Sequence, residues 1–124
     1  QGITPAFLYF KEDIMNSLNF NNIKKTYMTI TLPDENNTKL MLMTPTKSIM
    51  DKLISMEEFI TGVNEVGPGV LDDLYKVCVD IMNRNKGGRK ITSDYISEIL
   101  DFEDLVIFFN SYLEYVGGIA DSKK

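Results

Sequence analysis

The side chains able to do chemistry are few, and their spacing argues against catalysis. The 124 residues contain no histidine, so the commonest general base and metal ligand at neutral pH is missing. Cys78 is the only thiol, and it falls on the apolar side of a helical pattern, as a core cysteine does and an activated nucleophile does not. Adjacent carboxylates at Glu57/Glu58, Asp72/Asp73 and Glu103/Asp104 have the residue types for acid/base work or cation binding. Each pair is accounted for by an exposed helix face or a helix first turn. Gly87-Gly88-Arg89-Lys90 lacks the spacing and the Ser/Thr of a phosphate-cradling loop. The basic stretch 84–90 lies between two helical segments and invites comparison with a helix-turn-helix. The segment that would read bases, 93–100, instead offers Asp94 and Glu98 and no Arg or Lys, so a solvated loop is the expected role. No enzyme, cofactor or metal site is expected.

What the patterns leave over is hydrocarbon in polar surroundings. Met41 and Met43 stand out on one face of an apolar strand, Met50 and Ile54 on the polar side of one helix, and Ile107 on the polar side of another with Phe108 and Tyr115 at its edge. These seven residues are the candidate partner-binding set. Seven methionines suit a surface that must accept imperfect or several partners, because thioethers adapt. They equally suit gap-filling in a loosely specified core, and residue types leave both readings open.

The elements that must position these groups follow from period. Residues 27–32 alternate, with Met28, Ile30 and Leu32 on one face and Tyr27, Thr29 and Thr31 on the other, which predicts a half-buried strand. Residues 33–37 (PDENN) have turn chemistry, and the all-apolar run 40–43 completes a hairpin. Thr44 then caps, and Pro45 opens, a helix whose stripe is Ile49, Leu53, Met56, Ile60 and Val63, flanked by Phe59 and stopped at Gly62. Residues 64–69 (NEVGPG) read as a breaker loop. Residues 70–82 carry apolar side chains over about 200° of arc, which predicts a central helix with neighbours on two sides, Asp72 and Asp73 in its first turn, and Gly87-Gly88 beyond its end. Thr92, with Ile91 and Ile96 as a hydrophobic staple, opens a short helix to about Leu100. Asp101 caps a longer one to Val116, striped by Leu105, Phe109, Tyr112 and Val116 and closed by Gly117-Gly118.

The predicted fold is therefore α+β: a mainly helical single domain over 19–119, an N-terminal β-hairpin followed by three to four amphipathic helices, with a lead-in at 1–18 and a frayed tail at 120–124. Two readings of the lead-in stand. Position 1 is Gln, and if Met15 is the natural start, residues 1–14 are partly vector-derived; otherwise Thr4 and Pro5 open a native helix striped by Phe7, Phe10, Ile14 and Leu18. Thirteen basic against 18 acidic residues give net −5, which disfavours nucleic acid and anionic membranes and favours protein partners. One cysteine excludes an internal disulfide framework and fits a reducing cytoplasm. Unpaired hairpin edges favour self-association into a homo-oligomer.

The order of elements resembles the tail assembly chaperones of long-tailed (siphovirus-type) phages and prophages of Gram-positive bacteria. The likeness rests on the strand-turn-strand that enters a helix through Thr44-Pro45-Thr46, on Met56-Glu57-Glu58-Phe59 in that helix, and on the segment from Ile91-Thr92 to Gly118, and it covers roughly 19–119. It implies a non-enzymatic protein of the host cell cytoplasm that binds the tape-measure protein and helps recruit tail-tube protein before release. Such families commonly add a longer product by programmed frameshifting, for which Lys123-Lys124 fits an A-rich slippery run. The resemblance supplies no contact residues. A second class remains: a small acidic phage-encoded regulatory or adaptor protein binding through the Asp72, Asp73 and Asp80 face.

Overall fold

Alternation and helical period build the elements they predict, with shifted ends. A computed structural model describes residues 17–62 and 67–122. Strands β1 (Met28–Thr31) and β2 (Lys39–Leu42) pair antiparallel in the register Met28↔Leu42 to Thr31↔Lys39. Helices α1 (Lys47–Gly62), α2 (Pro68–Asn83), α3 (Ser93–Ile99) and α4 (Phe102–Ser122) follow, after a lone 3-10 turn at Phe20–Asn22. This is the expected α+β hairpin with four helices. Both readings of residues 1–14 lie outside the described residues, as do Val63 and residues 64–66 of the predicted breaker loop.

The hairpin turn is held by one carboxylate. Asp34 accepts from the Thr38 amide at 2.8 Å and the Thr38 hydroxyl at 2.6 Å, and from the Tyr95 hydroxyl on α3. These donors favour the ionised form and hold its pKa down at about 2. Asn37 takes the left-handed conformation the turn needs, at φ 47°.

The core forms where the apolar faces meet. Leu32, Leu40 and Leu42 of the hairpin are buried with Leu53 of α1, Leu74, Ile81 and Met82 of α2, Ile96 of α3, and Leu105, Phe109 and Tyr112 of α4. Helix α2 touches α1, α3, α4 and β2, which accounts for its wide apolar arc. Cys78 is wholly buried on it, and desolvation pushes the thiol up to about 12, so it is a core cysteine.

Three boundaries differ from expectation. Helix α1 starts at Lys47, with Thr46 as its cap: the Thr46 carbonyl accepts from the Met50 amide at 2.8 Å and its hydroxyl from the Ile49 amide at 3.4 Å. Thr44 instead gives its carbonyl to Arg84 Nε at 2.9 Å. Helix α2 opens at Pro68, which moves Asp72 and Asp73 out of the first turn. Helix α4 runs through Gly117 and Gly118 to Ser122, so 120–122 are helical rather than frayed. Two glycines weaken a helix but do not oblige it to stop, and Ile119 beyond them is half-buried beside Ile23 and Thr44. The caps of α3 and α4 are as predicted: Thr92 accepts from the Tyr95 amide at 3.2 Å, and Asp101 and Asp104 cap each other's amides at 2.8 and 3.0 Å.

The basic loop is more than a solvated connection. Asn85 is buried, donating to the Met82 and Arg89 carbonyls at 2.9 and 2.8 Å and accepting from the Arg89 amide at 2.8 Å. Asn83 clamps Ile91 through both its amide and its carbonyl, at 2.8 and 2.9 Å. Held this way, the loop backbone runs beside β2: the Met43 amide donates to Arg84 O and the Lys86 amide to Met41 O, both at 2.9 Å.

Candidate protein-docking surfaces

Strand geometry decides which hairpin groups reach solvent. Leu40 and Leu42 point into the core, so Met41 between them points outward and is 40% exposed. Met43 is half-buried at the end of β2, where its carbonyl accepts from the Tyr112 hydroxyl at 2.7 Å. On α1, Met50 is half-buried and packs on the core, whereas Ile54 is 50% exposed. On α4, Ile107 is 58% exposed.

One member of the candidate set proves to be interior and another partly so. Phe108 is 8% exposed and stacks against Tyr112 with ring centroids 6.2 Å apart, so its reading as left-over hydrocarbon is corrected. The α4 stripe is one residue wider than the period suggests, because Phe108 joins the common core beside Tyr112. Tyr115 is half-buried, with its ring 5.7 Å from that of Tyr112 and its hydroxyl donating to Thr26 O at 2.8 Å.

The exposed members do not form one patch. Ile107 lines a groove of about 360 Å³ between β1 and α4, walled by Met28, Ile30 and Leu32 on the strand side and by Asp104, Phe108 and Ser111 on the helix side. Neither Met41 nor Ile54 belongs to it. A second groove of about 360 Å³ runs between α1 and α2, floored by Met56 and Val77 under the 43% exposed ring of Phe59 and rimmed by Asp51, Lys52, Asp73 and Lys76. Its rim is mixed in charge, and the nearby Asp80 is paired with Lys52 at 2.9 Å.

Charge is segregated along the chain. Residues 91–122 hold seven acidic side chains (Asp94, Glu98, Asp101, Glu103, Asp104, Glu114 and Asp121) and no lysine or arginine. Residues 1–90 hold eleven of each sign and cancel. The acidic balance therefore belongs to α3 and α4.

The two hairpin edges are not equivalent. The edge of β2 is closed by residues 84–86, against the expectation of two unpaired edges. The edge of β1 has no backbone partner among the described residues. The Leu32 amide donates to Thr38 O at 2.8 Å, so in this register Ile30 and Met28 also face β2, and the backbone groups of Thr29 and Thr31 face away from it. Period alone shows a half-buried strand at 27–32 but not which of its sides is covered. Among the described residues no His, Cys, Asp or Glu cluster is disposed to hold a metal ion, and no helix is long and apolar enough to cross a membrane.

Compared with models of known protein families, with curated proteins and with solved structures, the chain matches none.

Proposed function

We propose that this protein is a tail assembly chaperone of the long-tailed phage type: it binds the tape-measure protein as an amphipathic helix, keeps it soluble, and helps bring tail-tube subunits to it without catalysing a reaction. The order of elements supports the reading. The observation that carries it is the ring of Phe59, exposed above the apolar floor of Met56 and Val77 between two helices. A groove of this kind takes the apolar face of a third helix, with anchors at i, i+3 or i+4, and i+7. The flexible Met56 thioether suits anchors of varied shape. Co-expression with the tape-measure protein encoded beside it is the test. Its soluble fraction should rise severalfold, and Phe59→Ser should abolish the rise while leaving this protein folded; an unchanged soluble fraction with the unaltered chain would sink the reading.

The charge carried by α3 and α4 favours a second reading, a small acidic adaptor that binds by charge. The face to consider is then α3 and α4, since Asp80 of the Asp72, Asp73 and Asp80 face is already paired with Lys52. Affinity for its partner would fall steeply between 50 and 500 mM salt, on the scale of about tenfold or more, whereas an apolar groove would change little.

A further inference from the structure

The alternation that buries Leu40 and Leu42 turns Lys39 and Met41 to the outer side of the sheet, with Thr31 and Thr29 opposite them on β1. The loop adds a third row. Leu42 lies opposite Asn85 and the Lys86 amide donates to Met41 O, so Lys86 points outward beside Met41, its Nζ 5.2 Å from the centroid of the Tyr27 ring. Met41 is thus an exposed apolar side chain between two lysines, neither of which pairs with a carboxylate among the described residues. The outward stripe of α4 is the reverse in charge. Glu103, Ile107, Asn110 and Glu114 are all exposed and fall within about 60° of arc. The most exposed large apolar side chain of the helix, Ile107, therefore sits between two carboxylates that pair with no cation among the described residues. This stripe lies about 170° round α4 from Tyr112, whose hydroxyl holds the hairpin at Met43, so the two surfaces face away from each other across the core.

We propose that the outer face of the hairpin binds the outward stripe of α4 on a second copy of the chain, with Ile107 seated on Met41 while Glu103 and Glu114 reach Lys39 and Lys86. Charge selects this occupant. Each surface repels its own kind and attracts the other, which disfavours pairing two hairpins or two α4 helices. Because the two surfaces lie on opposite sides of one molecule, the contact is head-to-tail and leaves a free hairpin at one end and a free α4 at the other. Copies then add into a chain, or into a ring larger than a dimer. The inference does not rest on the tail-assembly role, and it uses none of the residues that line the groove between α1 and α2.

The test is sedimentation velocity of the full chain from about 10 μM to about 500 μM at about 50 mM salt. The weight-average mass should rise past that of a dimer, and association should weaken about tenfold or more at about 500 mM salt. Lys39→Glu with Lys86→Glu reverses the cationic surface, and Ile107→Lys removes the apolar centre of the acidic one; all three positions are exposed, so the fold is kept. Each variant alone should stay monomeric. Mixed in equal amounts, the two should form a 1:1 dimer that grows no further, because the unaltered hairpin of one meets the unaltered α4 of the other while the two altered surfaces repel. Glu103→Gln with Glu114→Gln is an independent check at two exposed sites and should weaken association about tenfold or more. The proposal is overturned if the unaltered chain stays monomeric over this range or stops at a dimer. It is also overturned if any of the variants alone associates like the parent, or if the mixture stays monomeric.

Discussion

The Tyr112 hydroxyl donates a 2.7 Å hydrogen bond to the carbonyl of Met43, fastening the middle of α4 to the end of β2. The ring is wholly buried, and desolvation raises its pKa well above the ordinary phenol value, so the hydroxyl stays protonated and available as a donor. This bond joins the last helix to the joint from which the first one departs.

Removing it leaves a carbonyl without its partner while the ring remains. Tyr112→Phe should lower unfolding free energy by about 1–3 kcal/mol, read as a lower urea midpoint with unchanged slope. A loss below about 0.3 kcal/mol would show that water replaces the hydroxyl.

Asn85 stands between β2 and solvent. Its side chain makes three hydrogen bonds within the loop that covers β2, so Asn85→Ala should cost about 2 kcal/mol or more. Hydrogen exchange at the Met43 and Lys86 amides should accelerate more than exchange in α4, because those two amides bridge the loop and the strand.

Acid should loosen the hairpin turn through Asp34. Its carboxylate is held at about 2 against an ordinary value of 3.8, chiefly by the Thr38 hydroxyl and then by Tyr95. Folded pKa below unfolded pKa means that this contribution is complete above about pH 4 and is lost as pH falls toward 2. Asp34→Asn should therefore be less stable than the parent at pH 6, and the gap between their urea midpoints should narrow from pH 4 to pH 2. A gap that stays constant over that range would rule the linkage out.

Gly117 and Gly118 lie inside α4 without positive φ, and a Cβ added at either would meet nothing within 4 Å. Alanine at either site should stabilise the protein by about 0.4–1 kcal/mol through unfolded-state entropy and helix propensity, read as a raised urea midpoint. Were the pair a helix stop in solution, the same substitutions would destabilise.

Local chemistry was legible wherever one segment decided its own state. The alternation of 27–32, the PDENN turn, the Thr92 and Asp101 caps and the stripes of α1 and α4 are each set by side chains within a turn or two, so period and capping locate them. The end of α4 was not, because two glycines look the same whether a helix stops or continues, and what continues it is Ile119 settling beside Ile23, from the far end of the chain. Of the candidate contact residues, Met41, Ile54 and Ile107 are open to solvent as expected. Phe108 is not, since it packs into the common core and stacks on Tyr112.

Sequence alone determined that this chain has one alternating strand, an apolar strand after it, several amphipathic helices, an acidic balance and no histidine for catalysis. These are properties of residues and their near neighbours. Only the tertiary structure decided that Asn83 and Asn85 shape a basic loop into a cover for β2, leaving β1 as the edge without a backbone partner among the described residues. Which edge of a hairpin is sealed depends on a backbone that arrives two helices later, and no periodicity within the hairpin carries that information.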